Sequence, residues 1–406
     1  MKILYLTNEY PPYVYGGAGV HIEYLSKEMA KLTDIEVRCY GDQKPDDFPF
    51  PVRGVEPVIN FTDSDKQLAS IFKVLDRDLQ MVGQKTDAAL VHCHTWYTHM
   101  AGIWAKLNYG MPLVITTHSL EPLRPWKREQ LGGGYDFSLW VEKTAIEMAD
   151  AVIAVSKGTR ADIKQLFNVD DSRLKVIYNG IDTSEFKKVS SYKNIARFGF
   201  DLEKPYVLFV GRITRQKGIV HLVRAIKHIN PSIQIVLCAG APDTKEIEEE
   251  MAEGVRQASQ KRNNVYWIRE MVDKPTLIEL YSHASIFCCP SIYEPFGIIN
   301  LEAMACEVPV VASSVGGIKE VVIPGETGTL VSLEQMTESP FEATDPAQFA
   351  KDLANAINDL VANPDKAVAM GKAGRKRVEE VFSWKSIAKQ TYDLYKTLTQ
   401  KAPNKQ

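Results

Sequence analysis

Apolar runs of strand length recur along this chain between amphipathic stretches. The first half carries "KILYLT", "IEVRCY", "ALVHCH", "LVITTH", "AVIAVS" and "KVIY"; the second carries "YVLFVG", "IQIVLCAG", "VYWI", "SIFCCP" and "VPVVAS". Such strands, near-continuously apolar and alternating with helices, belong to parallel sheets covered on both faces. The rhythm lapses over "TSEFKKVSSYKNIARFGFDLEKP", and 406 residues exceed one comfortable core. The expectation is α/β architecture with two Rossmann-like, doubly wound domains, residues 1–188 and 189–381. Residues 382–406 form a C-terminal helix able to cross back to the first domain. Ligands of such domains bind at the carboxyl ends of the strands, so two domains facing each other across a cleft would share a site.

Composition narrows the partners. A formal net charge of -3 gives no reason to expect nucleic acid or an anionic membrane as partner, so phosphate binding must fall to local basic residues. The six cysteines show no CxxC spacing and sit mostly in apolar runs, the pattern of buried thiols in a reducing compartment. "MKILYLTNEYPP" is too short in apolar residues for a signal h-region or a membrane span, which points to the cytoplasm. "FSWKSIAKQTYDLYKTL" is amphipathic, whereas the tail "TQKAPNKQ" has little to bury and is expected to fray.

The densest chemistry lies in "SIYEPFGIINLEAMAC". Eight residues of ideal helix turn through about 800°, leaving an offset of about 80°, so Glu294 and Glu302 would not align on one helix. Pro295 disfavours helix at Glu294, Gly297 permits close backbone approach, and Ile298 to Cys306 reads as helix. Its first amides lack intrahelical acceptors and favour an anion such as phosphate. Glu302 shares a stripe with Ile298, Leu301 and Ala305; a carboxylate there requires a partner, either a vicinal diol such as ribose or a structural arginine. Upstream, "YVLFVGRITRQKGI" places Arg212 and Lys217 around a turn at a strand's carboxyl end. They can converge on a diphosphate or simply form a solvated basic loop.

In the first half, "NEYPPYVYGGAGVHIEYL" sets Gly16, Gly17 and Gly19 between a loop and a helix, with Asn8 and Glu9 on the same rim. His118 ends one strand, and His94 with Trp96 ends another. His92, Cys93 and His94 do not make a metal site, because successive strand residues point to opposite faces and no further ligands join them.

Taken together, "GRITRQKG" and "EPFGIINLEAMA", with its E-x7-E spacing, resemble the retaining glycosyltransferases of the two-Rossmann, or GT-B, type. That large family (GT4-type) includes bacterial glycogen synthases and sucrose-phosphate synthases. "HTWYTHMAG", "THSLEPLRPWKREQLGGGY" and "YNGIDTSEF" look like its actinobacterial glycogen-synthase subgroup, which includes enzymes making α-maltose 1-phosphate. The resemblance implies that Arg212 and Lys217 hold a nucleotide-sugar diphosphate and Glu302 the ribose. Glu294 and the Gly297, Ile298 and Ile299 backbone would hold the donor glucose, His118 would contact it near the reacting carbon, and Gly16, Gly17 and Gly19 would approach the donor phosphate or the acceptor. Glu294, His118, Arg212 and Lys217 form the implied catalytic set. On the acceptor side it implies Glu9, His94, Trp96, Arg124, Lys127, Arg128 and Gly133. Two departures stand out: Val14 and Tyr15 occupy the place of a lysine in longer glycogen synthases, and Thr95 that of an aspartate.

The implied activity is transfer of glucose from ADP-glucose or UDP-glucose, with retention, to an α-glucan end or to glucose 1-phosphate. It implies no cofactor and no metal, and leaves a homo-oligomer open. Alternatives are another sugar transferase such as sucrose (phosphate) synthase, a GT-B epimerase or phosphorylase, or a noncatalytic carbohydrate-binding protein.

Overall fold

In the computed structural model, which describes residues 1–338 and 340–401, the chain divides into two compact units. One holds residues up to Gly180 and those from Trp384; the other is Ile181–Ser383. The chain thus changes unit at Gly180/Ile181 and Ser383/Trp384, rather than at 188/189 and 381/382. The reason is local bonding. The Ile181 amide donates to the Phe382 carbonyl and Ile181 bridges Ser383, while the Arg375 guanidinium reaches the carbonyls of Thr183 and Phe186. A stretch without strand pattern is thereby tied to the second unit.

The first unit is a seven-stranded sheet made of β1 (Lys2–Thr7), β2 (Asp34–Tyr40), β3 (Val52–Val55), β4 (Leu90–His94), β5 (Leu113–Thr117), β6 (Ala151–Ala154) and β7 (Leu174–Val176). Its order is β3-β2-β1-β4-β5-β6-β7, with every pairing parallel. The second unit has β8 (Tyr206–Arg212), β9 (Gln234–Gly240), β10 (Val265–Ile268), β11 (Ile286–Cys289), β12 (Val310–Ser313) and β13 (Gly328–Val331). Its order is β10-β9-β8-β11-β12-β13, again parallel throughout. Both are Rossmann-like sheets, and the strand runs read from sequence become strands. The unanticipated ones, β3 and β13, are edge strands of four residues, each containing a glycine and so too short to show a pattern.

Strand alternation sorts the side chains of the first unit into two cores. Leu4, Leu6, Val91, Cys93 and Ile115 lie on one face, and Ile3, Tyr5, Leu90, Val114 and Ile153 on the other. The second face is finished by the C-terminal helix Trp384–Lys401, whose Trp384, Ile387, Ala388 and Tyr395 are buried in it. The Tyr395 hydroxyl bonds Nδ1 of His92 at 2.5 Å and donates to the Tyr5 hydroxyl at 3.0 Å. The expected fraying concerns a tail that, from Ala402 on, lies outside the described residues. All six cysteines are buried free thiols. Among the described residues no helix is long and apolar enough to cross a membrane.

In each sheet the order reverses direction once, between β1 and β4 and between β8 and β11. Loops leaving those neighbouring strands run to opposite sides and open a crevice at their carboxyl ends.

The helix Ile298–Ala305 packs against the helix Pro364–Val381, and two glycines of the latter face it differently. A Cβ on Gly371 would lie 2.0 Å from the Glu307 carbonyl oxygen; one on Gly374 would first meet the Met304 side chain, at 3.2 Å. Alanine gains about 1 kcal/mol over glycine in a helix interior, but a clash with backbone costs about 1–3 kcal/mol. Chemical denaturation is therefore expected to find Gly371→Ala destabilised and Gly374→Ala neutral or slightly stabilised.

Candidate active site

In the second unit, β8 runs out at Arg212 and turns through Gly218, whose φ of 60° is left-handed. A Cβ there would stand 2.1 Å from the Pro290 carbonyl oxygen, so the turn lies flat against the end of β11. This contact brings Lys217 to Glu294, with Nζ 2.7 Å from Oε2. Ser291 Oγ donates to the same oxygen at 3.2 Å. Behind Glu294, Gly316 at φ 46° would drive a Cβ to 2.1 Å from its carbonyl oxygen, and the Gly317 amide donates to that oxygen at 2.9 Å. Burial pulls the Lys217 ammonium down, and the Glu294 carboxylate more than offsets it, so the ammonium stays above its ordinary range. Arg212 is held differently, by Asp243 Oδ1 at 3.0 Å.

Gly297, at φ 97°, opens the helix Ile298–Ala305. The amides of Ile298 and Ile299 occupy its first turn, where no intrahelical acceptor exists. Glu302, buried one turn further on, accepts from the Tyr281 hydroxyl through Oε2 at 2.9 Å. Its Oε1 makes no hydrogen bond among the described residues. Burial pushes the Glu302 carboxyl up to about 7 despite Tyr281. The two acids thus serve separate partners, an ammonium and a phenol, and the arginine alternative for Glu302 does not occur.

In the first unit, Glu9 follows β1 and its Oε2 accepts from the amides of Tyr15 and Gly16 at 2.8 and 2.9 Å. Gly17 begins the helix Gly17–Met29. Gly16 has open space where a Cβ would stand, whereas at Gly19 a Cβ would meet Glu9 Oε2 at 2.7 Å. Gly16 is thus open to a ligand, and Gly19 seats Glu9 against the helix. Asn8 Oδ1 accepts from Thr95 Oγ1 at 2.7 Å, linking the ends of β1 and β4.

His118, half-buried just beyond β5, sits in a cluster of imidazoles. Its Nε2 lies 2.9 Å from Nδ1 of His94, and the rings stack at 5.2 Å. His21 packs edge-on against His118 at 4.8 Å and bonds Asn179 Oδ1 through Nδ1 at 2.6 Å. Burial depresses every member: His21 to about 4, and His92, His94 and His118 well below the usual imidazole range. The nitrogens of His21, His94 and His118 lie within 4.8 Å of one another, a possible metal-ligating trio. From the sequence no further ligand was expected to join His94; the fold supplies two, from a helix and from the next strand.

Two acceptor-side expectations are corrected by burial. His94 is 0% exposed and Trp96 3% exposed. His94 lies between other imidazoles, and Trp96 packs with Ile71, Val74, Leu131 and Tyr135, so neither offers a surface to an acceptor. In the loop expected on the acceptor side, Arg124 bonds Ser119 and Glu121, and Lys127 bonds Gln130. Arg128 pairs at the surface with Asp136 and lies over the Tyr135 ring. Gly133, with open space around it, caps the helix Gly134–Met148.

Sequence reasoning missed His21, Asp243 and Tyr281. His21 lies one turn into the helix after the glycine loop, and Asp243 just beyond β9, beside β8. Both positions were readable once the strand order was known; Tyr281, on the helix Lys274–His283, gave no signal.

Two doubly wound parallel units, each bearing polar and charged groups at its switch point, define a two-Rossmann architecture. The family described as Glycosyl transferases group 1 matches residues 191–339, and Glycosyltransferase Family 4 matches residues 15–185. Alpha-maltose-1-phosphate synthase of Mycolicibacterium smegmatis is 48% identical over 403 residues, covering 98% of this chain and 100% of that one. Glycogen synthase of Mycobacterium tuberculosis is 27% identical over 426 residues, covering 97% and 94%. Among solved structures, sucrose-phosphate synthase from Thermosynechococcus elongatus superposes with a TM-score of 0.77 at 27% identity, covering 98% and 100%. The chain belongs to the family 4 glycosyltransferases and is a hexosyltransferase with the GT-B fold.

The raised Glu302 carboxyl has a signed consequence. In the unfolded chain it ionises near its ordinary value, about 4.3, but in the fold only near 7. The native state then holds the proton more tightly, so ionisation works against the fold as pH rises from about 4.3 through 7. Glu302→Gln, which cannot ionise, is expected to gain stability relative to the parent across that interval and to run parallel to it above. Thermal melts between pH 4.5 and 8.5 measure the difference.

Proposed function

We propose that the chain transfers glucose, with retained configuration, from ADP-glucose or UDP-glucose to glucose 1-phosphate, giving an α-linked maltose 1-phosphate. The observation that carries the donor half is the half-buried Lys217 beside Glu294 at the second switch point, with Arg212 and the Ile298 and Ile299 amides nearby in the chain. A departing nucleoside diphosphate gathers negative charge in the transition state, and preorganised cations and amides stabilise it without a metal. Glu302 is suited to the ribose diol: Oε2 is occupied by Tyr281, leaving Oε1 for a hydroxyl. Glu294 orients the glucose and holds Lys217 in place.

The acceptor half rests on the relative at 48% identity, which aligns over its whole length and bears the name of a maltose-1-phosphate-forming enzyme. His118 contacts the sugar. Its neutral imidazole can pair with a hydroxyl but does not carry charge, which fits a reaction in which the donor phosphate itself helps take the acceptor's proton. Glu9, Arg124 and Lys127 are assigned to the acceptor side, Arg124 and Lys127 for its phosphate.

Purified protein incubated with ADP-glucose or UDP-glucose, and separately with glucose 1-phosphate or glycogen, is expected to form a disaccharide phosphate detectable by mass spectrometry and phosphorus NMR. Elongation of glycogen alone would move the acceptor to a glucan end. Nucleotide-sugar conversion without any acceptor would replace transfer by epimerisation. Lys217→Ala is expected to lower kcat/KM by about 10²–10³, the usual effect of deleting one preorganised donor to a developing oxyanion, with the loss mostly in kcat.

A further inference from the structure

We infer that His94 is a positioning residue: through Nδ1 it holds Nε2 of His118 and fixes that ring in one plane and one tautomer. This rests on the reading that His118 touches the sugar. His94 is fully buried and cannot meet a substrate itself. The nitrogen pair is 2.9 Å apart with the rings inclined by only 25°. No other hydrogen bond of His118 is found among the described residues, so this is the hydrogen bond that directs the ring.

Two neutral imidazoles sharing one hydrogen bond must divide the roles, one nitrogen donating and the other accepting. Whichever way the bond runs, Nδ1 of His118 is left committed as either donor or acceptor. A sugar hydroxyl can pair with either, so the value of the bond is constancy: the hydroxyl meets the same partner in every turnover. The surroundings reinforce this. His92, fixed by Tyr395 and by Thr116 Oγ1 at 2.8 Å, packs tilted against His94 at 4.3 Å. His21, held by Asn179 and edge-on to Trp384, closes on His118 from the side. The titratable groups facing His94 and His118 are thus His21, His92 and Tyr5, with His99 also acting on His94, and no acid among them supplies a charge that would favour imidazolium.

The test separates the two nitrogens of His94. Asparagine places an amide where Nδ1 stood and can donate or accept; glutamine reaches toward Nε2 and leaves Nδ1 unreplaced. His94→Asn is expected to keep kcat within about fivefold of the parent, and His94→Gln to lose about 10²-fold in kcat with little change in donor KM. Nitrogen-15 NMR of the imidazoles is the readout independent of activity. In the parent, His118 should show one protonated and one bare nitrogen between pH 6 and 8. The same pattern is expected in His94→Asn, with averaged nitrogens in His94→Gln. An averaged His118 in the parent, or equal kcat in the two variants, overturns the proposal. So does stoichiometric cobalt(II) binding that His94→Gln abolishes, since a metal would claim the same nitrogens. If the parent transfers no glucose but its His118 is a single tautomer, the functional reading fails and the positioning stands.

Discussion

An ammonium partly withdrawn from water needs a fixed counter-charge, and the Lys217–Glu294 pair is the contact on which the second unit's site depends. These residues are 77 positions apart and meet because β8 and β11 are neighbours at the reversal of strand order. The glycines around them act in support. Gly218 lets one loop lie on the Pro290 carbonyl, and Gly316 lets another close behind the Glu294 backbone. A sheet in simple sequential order would put β9 where β11 stands, and the cation would end against a different loop.

The same principle recurs at Arg212 and at the glycine loop of the first unit. Asp243 engages Arg212, and Glu9 spans the Tyr15 and Gly16 amides at the end of β1. Lys217, Arg212 and the Tyr15 and Gly16 amides each already hold a carboxylate of the chain itself. An incoming anion must therefore outcompete an intramolecular carboxylate at each position. A diphosphate, with more oxygens and more charge than a single carboxylate, is better placed to do so than a sugar or a monoanion.

Periodicity carried most of the fold. Long central strands such as "YVLFVG" announce themselves because both faces are buried, while β3 and β13 do not, being short edges with a glycine in each. The unit boundary came out late because residues 181–188 are held by an arginine from a distant helix, a tertiary bond without a local signature. For the site, spacing was informative where chemistry is contiguous: Gly297 at the helix start, Glu302 one turn in, and Arg212 and Lys217 around one turn. It misled where burial decides. His94 and Trp96 stand at a strand's end, a position that suggested contact with a ligand, yet one ring is sealed among imidazoles and the other in an apolar cluster. Their partners come from elements that no linear reading juxtaposes.

The closing helix has a consequence for how the molecule comes into being. Tyr395 completes the bonding of His92, a residue synthesised 303 positions earlier, and Trp384 lies against Gly180. As the nascent chain leaves the ribosome, the second unit has all its residues before the first has its last helix. Until then the amino-terminal sheet must wait with part of one apolar face uncovered.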